Sequence, residues 1–152
     1  MEYLLGLGHK RIALITEGSD TPSIVQLRQK GYCDALRQHG IEVDKNLIRY
    51  VDQRIYTFGN GYSTTKALIE SGEKFTAIYC ISDVLAVGAL RALSDAGIDV
   101  PKDVSVVGFD GQEIAEYCVP RLTTLRQPKV DMAKEAMKLL FSIIDKPIPL
   151  VH

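Results

Sequence analysis

The apolar and polar positions along this chain change rhythm repeatedly. Short apolar runs read as strands: RIALIT (11–16), LIRYVD (47–52), FTAIYCIS (75–82), VSVVGF (104–109) and LTTLR (122–126). Helical spacing fills the intervals. In IVQLRQKGYCDALRQHG (24–40), Ile24, Leu27, Gly31 and Ala35 share one face, Ser23 is a fitting N-cap and Gly40 a fitting end. A second helix follows a loop within FGNGYSTTKALIESG (58–72). A third, DVLAVGALRALSDAG (83–97), is apolar around most of its circumference. Only Arg91, Ser94 and Asp95 make it a polar face, so it is predicted to be largely buried. Residues 2–7 read as the end of a helix stopped by Gly8, and QEIAEYC (112–118) as a short helix or turn. Pro128 opens a last amphipathic helix running to about Ile144.

Strands alternating with helices predict a mostly parallel sheet between two helix layers, a three-layer αβα sandwich. Ligands in such sheets bind beyond the carboxyl ends of the strands. Three places should converge there: the loop from Thr16 to Ser23, Ser82-Asp83, and Asp110. The last helix is apolar enough from Met132 to Ile144 to need a cover, and KPIPLVH resembles a linker entering a strand. Both ends therefore read as cut, and a longer protein is expected.

The 152 residues suffice for one core, and the net charge of −1 brings no broad nucleic-acid or membrane surface. No local basic patch, membrane span or signal-peptide pattern is visible. Cys33, Cys80 and Cys118 are scattered and form no CxxC; Cys80 ends an apolar run and reads as a buried thiol, and all three read as structural, which fits a reducing cytoplasm. His9, His39 and His152 are scattered too, so no metal site and no cofactor are expected. There is no GxSxG, no P-loop and no histidine at a strand end on the site side, since His9 precedes a strand. GLG near residue 6 also precedes a strand, so it is no dinucleotide fingerprint. Glu17 and Asp20 are spread over a loop and poorly placed to support a phospho-acceptor aspartate. No catalytic residues are assigned, and an enzyme is not expected.

Each candidate binding residue has a plainer reading beside it. Arg28 is a cation in the first turns of a helix, opposing the dipole; an acceptor at the strand ends would compensate, or it is only a solvated arginine. Ser82 and Asp83 suit ligand contact, and suit an N-cap and first helical turn equally. Asp110 ends a buried strand and precedes Gly111, a pair that also makes turns. Tyr56 or Phe58 offers a face for a sugar or base ring, or simply packs.

YLLGLGHKRIALI (3–15), SDVLAVGALRALSDAGIDVPKDVSVVGFDG (82–111) and LTTLRQP (122–128) resemble the lactose-repressor (LacI/GalR) family of transcriptional regulators, in family order and spacing. The resemblance covers nearly the whole chain. It implies the effector-binding region, with the type I fold of periplasmic sugar-binding proteins. In that family two lobes close over a small effector, a sugar or nucleobase, and an amino-terminal helix-turn-helix that this chain lacks binds operator DNA. Residues 9–118 resemble the carboxyl-terminal lobe, 119–127 the crossover, and 128–152 elements of or returning from the missing first lobe. The match places effector contacts at Arg28, Tyr56 (Phe58 if the loop slips), Ser82, Asp83 and Asp110. Ser82 stands where many members carry asparagine, and Gly111 where many carry a second polar residue; the glycine would let the backbone approach a ligand. The resemblance also implies a cytoplasmic homodimer meeting through Ile114, Tyr117, Cys118 and Val119, with no membrane contact. A transport-type sugar-binding protein of the same fold is the alternative; a sugar-modifying enzyme or a domain that only oligomerises would be further ones.

Overall fold

Central strands of a parallel sheet are buried on both faces and edge strands are not, and burial here separates the centre of the sheet from its edges. β1 (Ile12–Glu17) and β3 (Ala77–Cys80) are buried almost end to end. β2 (Ile48–Val51) and β5 (Thr123–Arg126) are half-open, and β4 (Ser105–Asp110) is intermediate. A computed structural model, which describes residues 1–18, 23–51 and 55–144, pairs them all in parallel in the order β2-β1-β3-β4-β5. β5 pairs along β4 in a register that sets Asp110 opposite Arg126.

Helices cover both faces. On one lie α1 (Glu2–Gly6) and α2 (Ile24–Gln38). The Tyr32 hydroxyl donates to the Ile12 carbonyl at 2.8 Å and pins α2 to β1. On the other lie α3 (Phe58–Glu70) and α4 (Asp83–Asp95). A Cβ on Gly61 would stand 2.8 Å from the Leu85 Cα, and one on Gly88 2.7 Å from the Tyr62 nitrogen. Two glycines thus set how closely α3 and α4 approach. As its apolar circumference predicts, α4 is mostly buried, while Arg91, Ser94 and Asp95 face out.

A short turn, α5 (Ile114–Tyr117), joins β4 to β5, and α6 (Lys129–Ile144) follows. No residue of α6 is buried; Val130, Met132, Met137, Leu139, Leu140, Phe141, Ile143 and Ile144 all face outward. The sequence-predicted elements are all present, most with ends moved by one or two residues; α3, however, starts at Phe58, where a loop was expected, because the Thr57 side chain caps it. A 3-10 turn, Lys45–Leu47, capped by the Asp44 carboxylate, was not foreseen.

Candidate functional site

β1, β3 and β4 end on one edge of the sheet, and three of the expected contributions meet there. Arg28 enters from the second turn of α2. Its Nη1 donates to the Ile81 carbonyl at 2.6 Å, just past β3. Its guanidinium lies 4.0 Å over the Phe109 ring, a cation–π contact. Nη2 stands 3.6 Å from Asp110 Oδ1, an ion pair too long for a hydrogen bond. The side chains are only 13% and 18% exposed, so the pair is sheltered from water. Arg28 Nε is buried without a partner among the described residues. This cation near the start of α2 does find its acceptors at the strand ends.

Asp110 is the last residue of β4 and has φ 123, far from where a non-glycine backbone rests. Strain of this kind is held by surrounding contacts and concentrates at functional sites. Two contacts hold it here. Gln127 Nε2 donates to Oδ1 at 2.5 Å, and the Gln127 backbone N–H donates to the Asp110 carbonyl at 3.4 Å. Oδ2 meets no partner among the described residues.

Gly111 has φ 64, and a Cβ there would lie 2.6 Å from the Arg126 Cα. At Gly111 the backbone of β5 comes close, so a glycine is needed there for packing.

Tyr56 sits just before Thr57, whose side chain caps α3 by accepting from the Asn60 N–H. The ring is half-buried and its hydroxyl lies beside the Glu17 carboxylate at the end of β1. Burial first, then that carboxylate, push the phenol well above the ordinary tyrosine range; Arg28 and Asp110 lie close enough to add smaller opposing effects. Tyr56, Glu17, Arg28 and Asp110 therefore form one electrostatic cluster. Phe58 opens α3 and is 51% exposed.

Ser82 and Asp83 lie at the same edge but inside it. Ser82 Oγ accepts from the Leu85 N–H at 3.3 Å as the N-cap of α4, and the residue is 1% exposed. Asp83 is 0% exposed. Its Oδ2 accepts from the Gln112 N–H at 2.6 Å and its Oδ1 from the Thr124 hydroxyl at 2.5 Å. Both side chains are buried, and both Asp83 oxygens are bonded within the protein. Ser23 occupies the N-cap position of α2 without making the cap bond. Of the loop from Thr16 to Ser23, residues 19–22 lie outside the described residues.

Sequence reading missed three members: Glu17, weighed only as a support for a phospho-acceptor, Phe109, read as plain strand, and Gln127. His9 bridges Thr76 (2.9 Å) and Ser105 (3.1 Å) at the opposite edge, away from the site. Among the described residues, no group of three His, Cys, Asp or Glu side chains is placed to hold a metal.

Beside the cluster, Arg28, Tyr79, Phe109, Leu27, Ile24 and Leu125 line an open groove of about 370 Å³. The strand edge thus gathers one sheltered cation, one strained carboxylate and an apolar flank. Fold and site together define an α/β ligand-binding lobe of the doubly wound kind.

All 152 residues match the periplasmic binding protein-like domain, and the chain belongs to that family, as the effector-binding region of a LacI/GalR-type protein. It is 39% identical over 140 residues to the HTH-type transcriptional repressor CytR of Escherichia coli, covering 92% of this chain and 40% of that protein. The structure of a LacI-family regulator from Sanguibacter keddieii superposes with a TM-score of 0.87 at 33% identity, over 94% of this chain and 53% of the other. The regulator CelR in complex with cellobiose superposes with a TM-score of 0.83 at 34% identity, over 92% of this chain and 42% of the other. The chain thus spans about 40% of the length of this curated relative.

Proposed function

We propose that this chain is the effector-sensing part of a transcriptional regulator. A small, neutral, hydroxyl-rich ligand binds at Arg28 and Asp110 and changes how the whole protein holds operator DNA. The observation that carries the reading is the pair itself: a sheltered guanidinium beside a strained carboxylate with one oxygen unspent. Adjacent ligand hydroxyls can accept from the first and donate to the second. A wrong ligand would leave those buried groups unpaired, so such a site discriminates. Tyr56 contributes a ring face. Ser82 and Asp83 support the edge from behind. The cellobiose held by CelR is a ligand of this chemical kind.

In this reading, residues 9–118 form one lobe, 119–127 cross over, and α6 belongs to a second lobe outside this chain. Effector bound between lobes favours one arrangement, with a coupling to DNA of about 1–3 kcal/mol. The intact protein works in the cytoplasm as a homodimer. Ile114, Tyr117 and Val119 are exposed in and after α5, where two copies would meet, with Cys118 between them. It acts as a sensor rather than a catalyst; no nucleophile–base pair stands at the site among the described residues. The relatives are regulators rather than transport proteins, which favours this reading over a transport-type binder.

A melting screen of the intact regulator against sugars and nucleosides tests it. Ligand at a hundred times its Kd adds about 2.7 kcal/mol of stability, several degrees in Tm. One ligand class should stand out; a flat response across hydroxyl-rich compounds would count against the reading.

A further inference from the structure

We propose that Gln127 is a positioning residue that passes the state of the Asp110 carboxylate to the crossover segment; as signalling, this rests on Asp110 being a ligand contact. Gln127 lies between the end of β5 and Pro128. It is gripped twice by one residue, through its amide on Asp110 Oδ1 at 2.5 Å and its backbone N–H on the Asp110 carbonyl at 3.4 Å. Arg28 leans on that same Oδ1. A ligand hydroxyl reaching Asp110 either takes Oδ2 and turns the carboxylate, or displaces the Gln127 amide from Oδ1. Both alter the bond to Gln127, and with it the tether on the segment leading into α6.

Asp83 shows the contrast. It fastens β5 through Thr124, but it is fully buried with both oxygens taken, so its grip does not depend on the site. Two carboxylates thus hold the crossover, one fixed and one within reach of a ligand. Past Asp110, the segment borders an open cleft of about 480 Å³ lined by Gly111, Arg126, Gln127 and Pro128, which leaves it room to shift.

Hydrogen exchange of the intact regulator without ligand tests the tether, read at the amides of residues 127 and 129; the Lys129 N–H bonds the Gln127 carbonyl at 2.8 Å. Asp110→Ala and Gln127→Ala should each speed exchange about tenfold, the size of one charge-assisted hydrogen bond. The double variant should be no faster than the faster single, because both remove the same contact. Asp110→Asn keeps an acceptor and tolerates positive φ, so it should retain most of the protection. Gln127→Glu sets a second carboxylate against Asp110 and should exchange faster than Gln127→Ala. Multiplied effects in the double variant, or equal rates for Gln127→Glu and Gln127→Ala, would overturn the proposal. No ligand enters this readout, so the tether is judged even if the regulator binds no sugar, and the binding reading stands or falls on calorimetry.

Discussion

Arg28 shows how one side chain gathers a site. Its fork donates to Ile81, leans on Asp110 and stacks on Phe109 at once. Lysine would keep the charge but lose the planar stack and the paired donors. Arg28→Lys should therefore weaken effector binding of the intact regulator at least about tenfold with little change in Tm; unchanged affinity would mean that charge alone matters. Gly111→Ala tests the neighbouring turn. It combines φ 64 with a collision against the Arg126 backbone, so it should cost about 2 kcal/mol or more in urea unfolding. Arg28 and Asp110 stood out in the sequence because each breaks a local rule, a cation near the start of a helix and an acid ending a buried run. Asp83 obeyed the rules, and its burial depends on Thr124 and Gln112, far along the chain. Glu17 and Gln127 gain their meaning from equally distant partners, which no local pattern encodes.

The elements were read from periodicity, and the contacts between them were not. Alternation of strands and helices gave the parallel sheet, and the apolar circumference of α4 gave its burial. The glycine contact between α3 and α4 left no such trace, since Gly61 and Gly88 look like ordinary helix-weakening residues. Gly88→Ala should lower stability by about 1–3 kcal/mol, although alanine is the better helix former. A thermal melt showing stabilisation would mean the helices separate at little cost. The strand β5 rests on Asp83. Asp83→Ala leaves the Gln112 N–H and Thr124 hydroxyl unpaired, at about 1–3 kcal/mol each, so a large loss of stability is expected.

At the scale of the molecule, burial makes the fold sensitive to alkali. Tyr32, Tyr56 and Tyr79 all have pKa values raised, chiefly by burial. The native state keeps these protons where the unfolded chain begins to lose them, near pH 10. Their contribution to stability is whole below that pH and is lost as pH rises toward the native values. Burial also raises the Cys80 and Cys33 thiols, so urea midpoints should begin to fall near about pH 8.5, where the unfolded chain loses those protons, and fall more steeply above about pH 10. The exposed face of α6 predicts that the 152-residue chain alone associates; a single monomeric species in sedimentation at high concentration would contradict this. The central claim is that Asp110 and Arg28 hold a hydroxyl-rich effector in the intact regulator. Calorimetry with sugars and nucleosides, on wild type and Asp110→Ala side by side, tests it most directly. The expected result is saturable heat with one ligand class, abolished in Asp110→Ala while the variant stays folded. Equal binding by Asp110→Ala, or no binding by the wild type, would contradict it.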